Sequence, residues 1–371
     1  MLRLDRSSDS FIAKWWWTID RFMLLLVAIV VAIGIVLIMA ASPAVAERIN
    51  LSSMHFVIRQ IAFLFVGAGL MLVFSFMRPT MVKNMALICF VGCIFFLILV
   101  QIFGADIKGA KRWLFIGSFS LQPSEFLKPF FAVVTAWILY KRSVDSKFHG
   151  FKISLALYMF VAALLVMQPD FGMTLAVTAV WGAQMFLAGL PMFWVVFVVV
   201  GGAIGVVAAY ILLPHVAHRI NTFLDPQTGE NYQVEKSLDA FVSGGFLGKG
   251  PGQGMVKEII PDSHTDFIFA VAGEEFGLIL CILIVLLFTT IVIRGFVKIF
   301  NDNNIFVIYA ASGLLIQFGI QAIINMGVAL SMLPNTGMTL PFISYGGSST
   351  LAISISMGMI LALTRKRFGV R

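Results

Sequence analysis

Ser263-His264-Thr265-Asp266-Phe267-Ile268-Phe269-Ala270 is the stretch where a polar loop turns into an apolar helix. Glu274 and Glu275 follow two turns later inside the same apolar run. The chain is 60% hydrophobic with a mean hydropathy of +0.98, so most of its solvent is lipid. An ionised side chain costs roughly 2.5–3.5 kcal/mol at mid-membrane on insertion scales, and less near the interface. Acids kept at the lip of a span therefore mark, by default, a functional site facing water or protein. Asp266 also admits a plainer reading. Ser263-x-x-Asp266 has the capping-box pattern, in which Ser263 caps the helix and the acid reaches back to a backbone N–H. Such a cap is worth about 1 kcal/mol.

Outward from this stretch, runs of about 20 apolar residues recur, each long enough to cross a ~30 Å hydrocarbon core. Ten spans are expected near 20–42, 55–77, 82–103, 124–141, 152–168, 171–190, 192–213, 266–293, 304–330 and 347–364. Backbone polar groups in lipid must be paired internally, so the spans are helices. The expected fold is an all-α integral membrane protein, with Gly34, Gly67 and Gly69 permitting close helix packing. It is a single polytopic domain over 1–371. Residues 1–19 form a cytoplasmic N-terminal segment, 214–265 a long extracytoplasmic loop between helices 7 and 8, and 365–371 a cytoplasmic basic tail.

An even number of spans puts both termini on one side. That side holds 16 of the 26 Lys and Arg residues, which makes it cytoplasmic. The net charge of +8 reflects this bias and the pull of anionic headgroups rather than nucleic acid. Trp15, Trp16 and Trp17 fit an interfacial anchor. Ala44-Val45-Ala46 resembles a signal-peptidase site, but the apolar stretch before it runs about 18–20 residues, beyond a signal h-region. The first span is therefore expected to be retained. Cys89, Cys93 and Cys281 lie within apolar spans and read as small buried residues, with no disulfide framework.

The unusual residues gather on the outer face, in loops 104–123, 214–265 and 331–346 and around Gln168-Pro169-Asp170. Lys108, Lys111 and Arg112 run against the positive-inside trend; they can touch lipid phosphates or bind a phosphorylated substrate. The next helix opens Gln122-Pro123-Ser124-Glu125, with Pro123 suited to a helix start. Glu125 and Lys128 stand at i, i+3 on one face, as a structural ion pair or as substrate contacts. Gly248, Gly250, Gly252 and Gly254 alternate without a preceding strand, so they make no nucleotide fingerprint. They read as flexible backbone near a substrate or as a plain mobile loop. His215, His218 and His264 lack zinc-ligand spacing, and no motif supports a cofactor or a divalent cation. Gln317, Gln321 and Asn325 form one polar stripe, and interhelical hydrogen bonding is the first reading of it. Segment 333–349, rich in Pro, Gly and Ser, is tolerated at membrane depth only if buried in protein or lining a cavity.

Five motifs in order, Lys108-Gly-Ala-Lys111-Arg112-Trp113, Gln122-Pro-Ser-Glu125, Gln168-Pro-Asp170, His264-Thr265-Asp266-Phe-Ile-Phe and Pro341-Phe-Ile-Ser344-Tyr-Gly346-Gly347-Ser348-Ser349, closely resemble the SEDS family. These are the bacterial shape, elongation, division and sporulation proteins, and the resemblance covers nearly the whole chain. Ala40-Ala41-Ser42, Arg219-Ile-Asn-Thr-Phe223 and Gly337-Met-Thr-Leu-Pro341 tilt it to the division branch over the elongation branch. Thr336, where many division members have Lys, and Lys236, where Gln is frequent, depart from it.

The resemblance implies polymerisation of peptidoglycan glycan strands from lipid II at the outer face of the cytoplasmic membrane. It implies inversion at the donor carbon and undecaprenyl pyrophosphate as leaving group. Asp266 is then the general base. Arg112 and Lys128, supported by Lys108 and Lys111, face the pyrophosphate. Glu125, Gln122, Asp170, His264, Thr265, Ser344, Gly346, Gly347 and Ser348 complete the substrate site. Implied partners are lipid II, the nascent glycan strand, a class B penicillin-binding protein, other divisome membrane proteins and membrane lipids. A flippase for a lipid-linked precursor, or a scaffold, is the alternative class. Transporters usually show internal repeats and a midplane site, and neither is evident in the sequence.

Overall fold

The computed structural model describes residues 10–107, 110–117, 119–212, 217, 221, 232–300 and 302–366. Lys108, His215, His218, most of Arg219–Phe223 and the last five residues lie outside them. The chain is mostly helical, and each of the ten expected segments is a helix. These are α2 (Arg21–Arg48), α3 (His55–Ser75), α4 (Pro79–Phe103), α5 (Pro123–Val144), α6 (Gly150–Met167), α7 (Phe171–Leu187), α8 (Met192–Leu212), α11 (Ile268–Ile299), α12 (Ile305–Ala329) and α13 (Gly347–Leu363). Among the described residues, three further helices lie outside the apolar runs: α1 (Phe11–Thr18), α9 (Tyr232–Gly244) and α10 (Val256–Ile259). Among the described residues, α2, α3, α4, α6, α11 and α12 are long and apolar enough to cross a membrane. The chain is a multi-pass membrane protein.

The expectation of an all-α fold needs one correction. Three short strands, β1 (Ala105–Ile107), β2 (Ala110–Ile116) and β3 (Phe119–Leu121), form an antiparallel sheet in the order β1-β2-β3. Ala105 pairs with Trp113, and Leu114 with Leu121. Leu114 is buried while its neighbour Phe115 is exposed, the alternation of a strand with one covered face. Strands this short leave almost no periodic signal.

Helices α5 and α12 form the centre of the bundle. They pack on each other, and together they touch α4, α6, α7, α11 and α13. Their polar side chains within the bundle, Glu125, Lys128, Thr135, Gln317, Gln321 and Asn325, are buried. Charged and amide side chains in lipid are tolerated where they face protein, so the most polar spans sit innermost. At Gly34, a methyl group would stand 2.5 Å from the Phe342 carbonyl oxygen; its absence lets segment 338–346 lie against α2. Gly67 approaches Ser354 of α13 in the same way, whereas Gly69 faces open space.

Helix α11 is broken at Gly277, where φ is 74° and ψ −173°. The break is filled by the loop before it. Lys249 and Gly250 donate their N–H groups to the Glu274 and Glu275 carbonyls at 2.9 and 3.0 Å, and Leu278 N donates to the Gly245 carbonyl at 3.0 Å. Gly248 and Gly254 therefore serve close packing: an added methyl group would meet the Glu275 carbonyl at the first and the Glu274 carboxylate, 2.8 Å away, at the second, whereas Gly252 faces open space. Glu274 and Glu275 are themselves part of this knot. The Glu274 carboxylate accepts from Val256 N and Lys257 N, both at 2.8 Å. Lys257, buried, pairs with Glu275 and donates to the Ala40 carbonyl at 3.0 Å. Two buried acids thus fix α10 and its loop onto α11 and α2, Glu275 through the Lys257 ammonium and Glu274 through two backbone N–H donors.

Candidate active site

The chain enters α11 through a tight turn, with Asp262 at a φ of 56°. Its carbonyl accepts from Thr265 N at 3.0 Å and Asp266 N at 3.2 Å. The helix begins only at Ile268, and its capping position, Phe267, makes no side-chain cap. The Ser263 hydroxyl is buried without a hydrogen-bond partner. The capping-box reading of Ser263 and Asp266 is therefore wrong. The turn closes before the helix starts, and Asp266 falls ahead of the first helical residue instead of at its third position. Its side chain is half-buried.

Segment 338–346 holds this turn from behind. Asn325 of α12 donates to the carbonyls of Asp266 at 2.9 Å and Met338 at 2.7 Å. Tyr345 N donates to the His264 carbonyl at 2.9 Å, and the Ser344 hydroxyl donates to the Thr265 carbonyl. The His264 ring lies between Phe56 and Tyr345, with centroids at 4.4 and 5.4 Å. Burial pushes its imidazole down to about 4, with Asp262 opposing, so it is neutral at pH 7. Gln60 of α3, unremarked in the sequence, donates to the Ser344 carbonyl at 3.3 Å and to Thr350 at 3.1 Å, and accepts from Gly346 N at 3.3 Å. A lone amide inside an apolar span was the available signal. Gly347 opens α13 under the Phe63 ring, where a methyl group would stand 2.7 Å away.

A second cluster lies one turn along α12. Lys128 pairs with Glu125 at 2.8 Å and donates to Gln321 Oε1 at 2.9 Å, with 1% of its side chain exposed. Gln321 in turn donates to the Thr339 carbonyl at 3.0 Å. Gln321 and Asn325 are thus interhelical hydrogen-bonders, separated by about 6 Å of helix rise. They tie the ion pair and the Asp266 turn to one rod. This geometry favours the structural reading of Glu125 and Lys128 over direct substrate contact.

Arg112 of β2 donates Nε to the Gln168 carbonyl at 3.1 Å, donates to the Pro169 carbonyl, and lies 3.7 Å from Asp170. Asp170 caps α7 through Met173 N at 3.3 Å. Burial raises its pKa, with Arg112 opposing. Ser348 accepts from Gln122 N at 3.0 Å and donates to the Ser120 carbonyl at 3.1 Å, joining the sheet to α13. Lys111 is exposed and pairs in register with Asp106. Among the described residues, no group of three or more His, Cys, Asp or Glu could hold a metal.

The order of motifs along the chain and their convergence at one end of the bundle have a counterpart in known proteins. Residues 20–368 match the FtsW/RodA/SpoVE family, described as cell cycle proteins. The chain belongs to the FtsW/RodA/SpoVE family. A member of it from Caulobacter vibrioides, described as a probable peptidoglycan glycosyltransferase FtsW, is 40% identical over 368 residues, covering 99% of this chain and 94% of that relative. A solved peptidoglycan synthase complex, concerned with coordinating polymerization and crosslinking, superposes with a TM-score of 0.78 at 27% identity, over 93% of this chain and 97% of that one. Thermus thermophilus RodA, a rod shape determining protein of the same family, superposes with a TM-score of 0.70 at 26% identity, over 94% and 97% of the two chains.

Proposed function

We propose that this FtsW/RodA/SpoVE member is a peptidoglycan glycosyltransferase of the division branch, polymerising glycan strands from lipid II. The observation that carries the reading is Asp266: a half-buried carboxylate on a turn whose backbone is held by Asn325, Ser344 and Tyr345. A base fixed this way is pre-positioned yet reachable. It takes the proton of the acceptor sugar's 4-hydroxyl as that oxygen bonds to the donor's anomeric carbon. The bond from that carbon to the pyrophosphate breaks with inversion, and undecaprenyl pyrophosphate leaves with the bonding electrons. Arg112 and Lys111, with Lys108, stabilise the charge that develops there.

Ten crossings, cytoplasmic termini and an outward-facing Asp266 agree with the distribution of basic residues. The division branch follows the naming of the Caulobacter relative. It puts the protein at the septum among other divisome membrane proteins, beside a class B penicillin-binding protein that crosslinks what this chain polymerises. The synthase complex with the same fold supports that pairing.

The test is purified protein with labelled lipid II in detergent, where sidedness has no meaning. Asp266→Asn should slow polymer formation by about 10²–10⁴. Asn325 holds the Asp266 backbone carbonyl rather than its side chain, so the turn should persist and lipid II should still bind. Near-wild-type polymerisation by this variant would return Asp266 to a structural role.

A further inference from the structure

At the far end of α11 from Asp266, one face of the helix carries Thr290, Ile293, Arg294, Val297 and Lys298, spaced at i, i+3, i+4, i+7 and i+8. With Phe22 of α2 they line a cavity of ≈ 260 Å³. Asp20, which caps α2, sits behind it. Its Oδ1 accepts from Phe22 N at 3.1 Å, Met23 N at 3.2 Å and Arg294 at 2.8 Å, while Oδ2 accepts from Arg294 Nε at 2.9 Å. The carboxylate is therefore satisfied and neutralised by Arg294 alone. Lys298 adds a second cation 3.6 Å from it, so the cluster carries one positive charge in excess.

The rest of the cavity wall is apolar and faces outward: Phe22 is 45% exposed, Ile293 57% and Val297 59%. The Arg294 guanidinium also lies over the Phe22 ring, 4.7 Å from its centroid. A surplus cation at the rim of an apolar slot matches a molecule with an anionic head and a hydrocarbon tail. We propose that this cavity is a binding site for one anionic glycerophospholipid. Its headgroup phosphate meets Lys298 and the outer edge of Arg294, and an acyl chain lies along Phe22, Ile293 and Val297. Lys14 and Arg21 at the same end enlarge the attraction without lining the cavity.

The test is native mass spectrometry of the full chain released from nanodiscs of equal parts phosphatidylglycerol and phosphatidylcholine. One phosphatidylglycerol should stay bound in preference to phosphatidylcholine. Lys298→Gln should lower its retention about fivefold, while Lys298→Arg should keep it. Thr290→Trp, which fills the slot without changing charge, should lower it as well. If that variant fails to fold, the two Lys298 variants decide. Equal retention of both lipids by the wild type, or retention unchanged by Lys298→Gln, would overturn the proposal. Displacement of the bound lipid by inorganic phosphate alone would also overturn it, since the tail would then contribute nothing.

Discussion

Lys128 is charged in a place that water scarcely reaches, and its two partners decide what that charge can do. Removing one member of a buried pair strands the other at a cost of about 3–5 kcal/mol, whereas replacing both is often near neutral. Lys128→Ala should therefore lower both thermal stability and polymerisation, because Glu125 is left alone. Glu125→Gln/Lys128→Met should recover most of the stability, measured as a double-mutant cycle on melting temperature and turnover. A double variant no more stable than Lys128→Ala would mean the pair is not what Lys128 is for. At this scale the sequence was informative wherever partners are close along the chain. Glu125 and Lys128 stand at i, i+3, and Gln321 and Asn325 at i, i+4, so helix geometry alone made them neighbours. Ser263 misled because a turn intervenes where a helix was assumed. The partners of Gln60 and Lys257 were illegible for a different reason: Thr350 and Ala40 lie 290 and 217 residues away.

At the scale of the element, α11 is two helices carried on one apolar run. Gly277 adopts a φ and ψ that only glycine takes readily, and an added methyl group there would meet the Phe246 carbonyl and the Gly248 amide. Gly277→Ala should cost at least about 1–3 kcal/mol and push the inserted loop out of the break. Trypsin should then cut at Lys249 and Lys257 much faster, while the bundle remains intact. Unchanged cleavage would show that the inserted backbone does not depend on the break. The apolar run of this helix was plain in the sequence, but its break was not. One glycine inside a helix costs only ~1 kcal/mol against alanine and is ordinarily tolerated. Gly248 and Gly277 make sense only together, since each lies against the backbone of the other's segment, and nothing local joins them. The three-stranded sheet leaves no mark in the sequence because strands of 3 to 7 residues carry too little alternation to register.

For the whole molecule, ten apolar runs gave the helices and their order, since the need to pair backbone groups in lipid leaves few choices. The burial of α5 and α12 was also latent in the sequence: these spans carry Glu125, Lys128, Gln317, Gln321 and Asn325, and all five side chains are buried. Sidedness can be measured directly. In a chain lacking Cys89, Cys93 and Cys281, a Val242→Cys variant, at a position 83% exposed on α9, should react with a membrane-impermeant thiol reagent in intact spheroplasts. A Ser146→Cys variant should react only after the membrane is opened. The reverse pattern would move the Asp266 turn to the cytoplasmic face and end the case for polymerisation outside. Two contacts also set a clock on biogenesis. Arg48 donates to the Ile260 carbonyl, and Ala40 accepts from Lys257, so the C-terminal end of α2 is completed by residues translated more than 200 positions later. At ribosomal speeds of about 5–20 residues per second, that end waits some ~10–40 s for its partners. A nascent chain halted before Lys257 would present an unfinished helix end, a mark by which an insertase or a membrane protease could tell an incomplete molecule from a finished one.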